Sequence, residues 1–247
     1  MKDYKTIVND RYDQQQYDSK AVLNNIYSPI NPVGFYGEFK AAQILSDFIK
    51  MIDFDIEVGA PCLLDCGCGD GSKTRIMSEL LGNPHSVYGM EYSENRLSRC
   101  KMMNPAIHYE YGDLTKEIPF PMEFDGITTF VVFMHFSKEE EIVNALKNIY
   151  NSLKKNGLFL WYECNEKSHW DGRTKDVDGW GFSTDEMDRY AAEAGFRLVK
   201  GYGIYPRFPV LNTSSIYLAE RVKKIWMLEW MEKLPFRKNN SIRIYRK

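Results

Sequence analysis

The stretch Asp65-Cys66-Gly67-Cys68-Gly69-Asp70-Gly71 constrains this 247-residue chain more than any other. A short apolar run, Cys62-Leu63-Leu64, enters it after Pro61, and Ser72 to Leu81 leaves it with helical character before Gly82-Asn83-Pro84. Three alternate glycines between a strand and a helix let the backbone turn sharply and come close to a ligand. The first N–H groups of the helix that follows have no partners inside it and face the same place. A strand–turn–helix of this kind belongs at the carboxyl edge of an open α/β sheet, where ligands bind.

The rest of the chain fits that sheet. Residues 37–53 form a helix with Phe39, Ala42, Leu45, Phe48 and Ile49 near one face. Strands are predicted at Ser86 to Tyr92, Ile107 to Tyr111, a continuous Phe124 to Phe133, Gly157 to Tyr162 and Phe196 to Tyr205. Helices alternate with them. Ser93 caps one that runs to Met103, Ser137 to Glu140 is a capping box for one ending at Leu153, and Ser183 to Glu186 is a second box. The alternation ends with a long helix from Asn212 to Leu234, started by Thr213 or Ser214, and a polar/apolar edge strand, Ser241 to Tyr245. The fold class is α/β, a mainly parallel sheet with helices on both faces and an antiparallel pair at one side.

Glu91 ends the second strand, 24 residues after Gly67, where an acid can accept hydrogen bonds from both ribose hydroxyls of an adenosine. Asp113 ends the third strand and is placed to meet an adenine amino group. A dinucleotide turn reads G-x-G-x-x-G, but Ser72 stands at its sixth position, and D-x-G-x-G-x-G fits instead. On these residues the chain resembles the class I S-adenosylmethionine-dependent methyltransferases. Leu63 to Gly71, Val87 to Ser93, Tyr111 to Leu114, Phe124 to Phe136, Leu153 to Leu158 and Glu193 to Phe196 are similar to six of the family's segments, in the family's order, across residues 37–200.

The resemblance implies a Rossmann-like, doubly wound seven-stranded sheet with an antiparallel last strand, and S-adenosylmethionine as cofactor. It implies cofactor contacts from Asp65, Gly67, Gly69, Glu91, Tyr92, Asp113, Leu114 and Phe130. Asp65 is also open to a bracing role on glycine-loop N–H groups. His135, at the end of the fourth strand, is the candidate base, with a purely structural role as the alternative. Glu163, at the end of the fifth strand, is expected to face the same crevice, either on an acceptor hydroxyl or paired with a neighbour such as Lys167. His169, Trp170 and Arg173 fall in a long loop, 164–182, read as an acceptor lid.

We read residues 1–247 as one domain, with an N-terminal arm over 1–36 and a helical insertion over 206–240 before the last strand. Residues 197–247 hold 12 Lys or Arg against 3 Asp or Glu in a chain of net charge −2. That basic end suits a solvated face or an anionic acceptor, with Arg207, Arg221, Lys223 and Lys224 helping to hold phosphate. No basic, aromatic-interleaved appendage points to nucleic acid, and no apolar run is long enough for a transmembrane segment. Five cysteines without framework spacing fit reduced thiols and a cytoplasmic setting, and Cys66-x-Cys68 lacks the further ligands of a metal site. The 213–234 helix can cover the acceptor pocket, form a homodimer face or lie on a membrane. The style of arm, lid and basic end resembles bacterial small-molecule and sugar O-methyltransferases, which implies methylation of a hydroxyl on a sugar or sugar nucleotide for capsule or other surface glycans. The alternatives are N- or O-methylation of another small metabolite, and a non-catalytic S-adenosylmethionine-binding module.

Overall fold

The computed structural model describes residues 28–54, 57, 59–136, 138–164, 170–171, 180–181, 183–208, 213–214 and 230–247. The central sheet contains β1 (Leu63–Cys66), β2 (Val87–Glu91), β3 (His108–Tyr111), β4 (Phe124–Phe130), β5 (Leu153–Cys164), β8 (Arg197–Phe208), β9 (Thr213–Ser214) and β10 (Lys238–Arg246). Its order is β3-β2-β1-β4-β5-β10-β8-β9. β1 to β5 run parallel, and β10 is antiparallel to both β5 and β8. Seven long strands with an inserted antiparallel last strand are the Rossmann-like sheet expected from the sequence, and the two-residue β9 extends its edge. A separate ribbon pairs β6 (Trp170–Asp171) with β7 (Trp180–Gly181).

Two apolar layers cover the sheet because alternate strand residues point to opposite faces. On one face, Leu63, Leu158, Leu160, Ile242 and Ile244 pack with residues of helices α1 (Pro32–Lys50), α2 (Ser72–Leu81) and α3 (Glu94–Met103). On the other, Leu64, Phe159, Trp161 and Tyr245 pack with α4 (Glu139–Ser152) and α5 (Thr184–Glu193). Ser183 and Glu186 close the predicted capping box of α5, Ser183 N donating to Glu186 Oε2 at 2.7 Å and Glu186 N to Ser183 Oγ at 3.2 Å.

Several boundaries differ from the sequence reading. α1 begins at Pro32, inside the proposed arm, because Pro suits the first helical turn. Its buried face is Val33, Tyr36, Ala41, Ile44, Leu45 and Phe48, while Phe39 is 45% exposed. β4 stops at Phe130, since Val131 takes φ 57° and Phe133–His135 form a 3-10 turn. The capping pair of α4 is one residue later than predicted: Lys138 N donates to Glu141 Oε2 at 3.2 Å. Thr213 and Ser214 do not start a helix but pair with Phe208 and Arg207. Residues 1–27 and 215–229 lie outside the described residues, and with them most of the arm and of the C-terminal helix.

The last strand is the largest correction. Residues 241–245 are not at an edge; they lie between β5 and β8 and bury Ile242, Ile244 and Tyr245. The polar residues that suggested an edge have partners. Arg243 Nε donates to Asp188 Oδ1 at 3.2 Å, and Tyr245 OH donates to the same oxygen at 2.6 Å. Ile244→Ala should therefore lower unfolding free energy by about 2–5 kcal/mol, as for a fully buried site. Urea denaturation checks this, and a loss under about 1 kcal/mol would suit an edge strand instead.

Candidate active site

A cavity of about 700 Å³ runs along the carboxyl ends of the strands beneath α1. Its glycine-loop end follows directly from local sequence. Gly67 and Gly69 adopt φ 74° and 58°, in the region that favours glycine. A Cβ on Gly67 would sit 2.6 Å from Val132 Cγ2, so the loop and the β4 turn touch there. Gly67 N and Cys68 N donate to Met90 O at 2.7 and 3.0 Å, which docks the loop on β2.

Glu91 closes this end. Its Oε2 accepts from Gly69 N at 2.8 Å, and its Oε1 accepts from Tyr92 N and Ser93 N, both at 2.9 Å. Burial pushes the carboxyl up from its ordinary range, while the Ser93, Gly69 and Tyr92 N–H groups and the Arg96 charge favour the ionised form. Oε1 is filled by its two donors, and Oε2 keeps acceptor capacity towards the cavity. Tyr92, whose ring lies 5.8 Å from that of Tyr111, lines the same wall with Asp113 and Leu114. Asp113 Oδ1 accepts from Thr115 N at 3.0 Å and Thr115 Oγ1 at 2.7 Å, which fixes the turn after β3. Leu114 is held by Asn148 Nδ2, which donates to its carbonyl at 2.9 Å.

Asp65 lines the cavity but does not brace the glycine loop as the alternative reading supposed; it accepts from Thr128 Oγ1 at 2.8 Å. Complete burial pushes its carboxyl up to about 7, against the opposing pull of Thr128 and Lys73 and with help from the Glu91 charge. Phe130 and His135 also line the cavity, Phe130 with its ring 5.2 Å from Tyr162.

Glu163 is the site residue that the structure moves. Alternation on β5 turns Tyr162 and Cys164 towards the cavity and Glu163 away from it. Its Oε2 accepts from Phe133 N at 3.1 Å and Met134 N at 3.3 Å, and its Oε1 from Cys164 N at 3.3 Å. Burial raises its carboxyl to about 7 against these N–H groups. Glu163 therefore shapes the turn that carries His135 instead of touching a ligand. Of the lid candidates, His169 and Arg173 lie outside the described residues, and Trp170 is described only as backbone of β6. The ribbon's β7 lies beside the His135 turn.

Sequence reasoning missed the far half of the cavity. Tyr162, Cys164, Tyr205, Asn239 and Asn240 line it together with Glu38 and Lys73. The Tyr162 and Tyr205 hydroxyls interact with one another, and burial raises both, so they stay protonated. Asn239 and Asn240 arrive because antiparallel β10 starts at the ligand edge, with Asn240 opposite Cys164. Glu38 carried a signal: it is an acid three residues before buried Ala41 and seven before buried Leu45, on the inward face of α1. Among the described residues no cluster of His, Cys, Asp or Glu could hold a metal ion, and no helix is long and apolar enough to cross a membrane.

The Asp65 and Glu163 carboxyls bind protons more tightly in the folded chain than in the unfolded one. Their stabilisation is complete below about pH 4 and is lost as pH climbs through about 7. The urea midpoint of the ligand-free protein should fall between pH 5 and pH 8, and Asp65→Asn should shrink that fall. An equal fall in the variant would mean that Asp65 titrates normally.

The family model described as "Methyltransferase domain" matches residues 63–157. A TehB-like SAM-dependent methyltransferase from Corynebacterium glutamicum has the same fold at 18% identity, with TM-score 0.59 and 98% of this chain covering 99% of that one. Magnesium protoporphyrin IX methyltransferase from Synechocystis, solved with S-adenosylhomocysteine, gives TM-score 0.64 at 13% identity, over 98% and 99% of the two chains. The [4+2]-cyclase SpnF is also similar, with TM-score 0.60, 13% identity and coverage of 84% and 80%. A search of the curated proteins finds no match. Residues 63–157, which hold the glycine loop, Glu91 and the His135 turn, are the part of the chain that matches a methyltransferase domain.

Proposed function

We propose that this S-adenosylmethionine-dependent enzyme methylates a hydroxyl of a small polar acceptor, with a sugar or sugar nucleotide as the favoured class. The observation that carries the reading is the far wall of the cavity that His135 also lines, where Tyr162, Tyr205, Asn239 and Asn240 present neutral donors and acceptors. The hydrogen-bonding capacity these groups keep beyond their mutual contacts suits a hydroxylated ligand better than an apolar one, which would leave that capacity unfilled. The basic residues proposed to hold phosphate, Arg221, Lys223 and Lys224, lie outside the described residues, as does the side chain of Arg207.

S-adenosylmethionine, when bound, supplies a methyl group on a sulfonium. The chain's own part is to hold and orient. Gly67 and Gly69 leave room for a ligand against the loop, Glu91 Oε2 accepts from a ribose hydroxyl, and Tyr92, Asp113 and Leu114 surround the adenine. Asp65 and Phe130 border the methionine portion. Tyr162, Tyr205 and Asn240 would hold the acceptor hydroxyl towards the methyl group. His135 takes the hydroxyl proton on an imidazole nitrogen. The pairing of β6 with β7, which lies beside the His135 turn, is suited to shield the reacting atoms from water.

Loss of a carboxylate hydrogen bond predicts that Glu91→Ala weakens S-adenosylhomocysteine binding by about 1.5–3 kcal/mol in a calorimetric titration. With an acceptor found by screening sugars and sugar nucleotides for S-adenosylhomocysteine release, His135→Ala should lower kcat by about 10²-fold or more, the low end for loss of a general base. Its S-adenosylhomocysteine affinity should not change. An unchanged kcat would leave His135 a structural residue, and release on amines alone would overturn the hydroxyl reading.

A further inference from the structure

Two buried thiols have no part in the reading above. Cys68, in the glycine loop, and Cys100, on α3, stand 32 residues apart in the chain, yet their sulfurs lie 4.0 Å from one another. Both are free and belong to the apolar layer under the loop, at 5% and 0% exposure. Of the two, Cys68 lines the cavity and Cys100 does not. A small molecule in the cavity therefore meets the Cys68 side first, with Cys100 behind it.

The pair sits where the loop is tied. Cys100 Sγ donates to Gly69 O at 3.1 Å, while Gly69 N donates to Glu91 Oε2 at 2.8 Å. Cys68 N donates to Met90 O at 3.0 Å, and Gly71 N donates to Cys68 O at 2.9 Å. Little slack remains around the sulfurs. A Cβ on Gly71 would stand 3.2 Å from Cys100 Sγ, and one on Gly89 3.0 Å from Cys68 Sγ. A disulfide bond is about 2.05 Å long, so joining the two sulfurs draws them together by about 2 Å. That movement falls between the loop and α3, whose first turn follows Glu91 closely. Cys100 also loses the S–H that it gives to Gly69 O. At rest the pair stays reduced. The Cys100 contact, burial and the Asp65 and Glu91 charges push the Cys68 thiol well above its ordinary range, so the reactive thiolate is scarce until an oxidant is supplied. A disulfide carries no charge, and the same burial does not oppose it.

We propose that Cys68 and Cys100 form a thiol–disulfide switch beneath the cofactor loop, which a two-electron oxidant entering the empty cavity closes and which lowers affinity for S-adenosylmethionine when closed. Cys68 attacks the oxidant as thiolate. The Cys100 sulfur then displaces the reduced oxidant fragment from Cys68 and forms one S–S bond. The two thiols give up two electrons and two protons in all. Hydrogen peroxide takes them up as two waters, and the azo bond of diamide takes them up as a hydrazine. A dithiol reverses the step by exchange. Bound cofactor covers Cys68, so an occupied site resists oxidation. The inference rests on the glycine loop and Glu91 holding the cofactor.

Diamide treatment of the purified chain tests it, read by mass spectrometry of unreduced peptides and by calorimetric titration with S-adenosylhomocysteine. The expected result is a Cys68–Cys100 peptide link, with S-adenosylhomocysteine affinity of the linked chain lower by about tenfold or more, the scale of a lost charge-assisted hydrogen bond. Dithiothreitol should restore the affinity, and S-adenosylhomocysteine added before diamide should slow the linkage. Cys100→Ser keeps a donor for Gly69 O but cannot form the link, and it should bind with wild-type affinity before and after diamide. Cys100→Ala, which adds no polar group to the core, repeats the comparison. Both variants retain Cys62, Cys66, Cys68 and Cys164, so an effect of diamide at those thiols appears in them as well. Absence of the link, a link that leaves S-adenosylhomocysteine affinity unchanged, or an equal diamide loss in the variants would overturn the switch while leaving the cofactor assignment intact. A reduced wild-type chain that binds no S-adenosylhomocysteine would overturn the cofactor assignment and the switch together.

Discussion

The carboxylate of Glu91 is the contact on which the ligand edge depends. It gathers the N–H of Gly69 from the loop after β1 and those of Tyr92 and Ser93 from the turn after β2. Without it, three backbone donors on two separate segments would lose their partner. Burial alone would push a carboxyl towards neutrality, and these N–H groups pull it back towards charge. The result is an acid built into the floor of the site, rigid because it is also structural. The loop's left-handed glycines and the Gly67–Val132 contact then carry this order to the β4 turn.

A second buried carboxylate does the same on the other side. Glu163 faces away from the cavity and gathers N–H groups from the turn that carries His135. Val131, just before that turn, holds φ 57°, a conformation that a β-branched residue adopts only under constraint. Its N–H donates to Tyr162 O at 2.9 Å, so the strained residue is locked to β5. Strain of this kind, of order 1–3 kcal/mol, persists where the surroundings over-determine it, and here it turns the chain so that His135 lines the cavity. The site is framed by two acids that act through backbone, one at each side of β1 and β4.

The parts of this arrangement legible in the sequence were local. The glycine loop, Glu91, the β–α alternation and the Ser183–Glu186 box are short patterns whose meaning does not depend on distant partners. The failures came from long-range pairing. Ser241 to Tyr245 alternates like an edge strand, and only Asp188 on α5 reveals why Arg243 can sit inside a sheet. Glu163 reads as a ligand-facing acid until the register of β5 decides its face. Tyr205, Asn239 and Asn240 belong to strands that converge only in the folded sheet, so no spacing in the sequence joins them to His135. Glu38 was different, because an acid on the buried stripe of α1 was visible in the periodicity.

Calorimetric titration of the purified chain with S-adenosylhomocysteine, run beside NAD, tests the central claim most directly. Both ligands carry adenosine, but a D-x-G-x-G-x-G loop followed by Glu91 suits the first and not the dinucleotide. The account predicts one S-adenosylhomocysteine bound per chain and no heat from NAD. Binding of NAD, with S-adenosylhomocysteine inert, would contradict it.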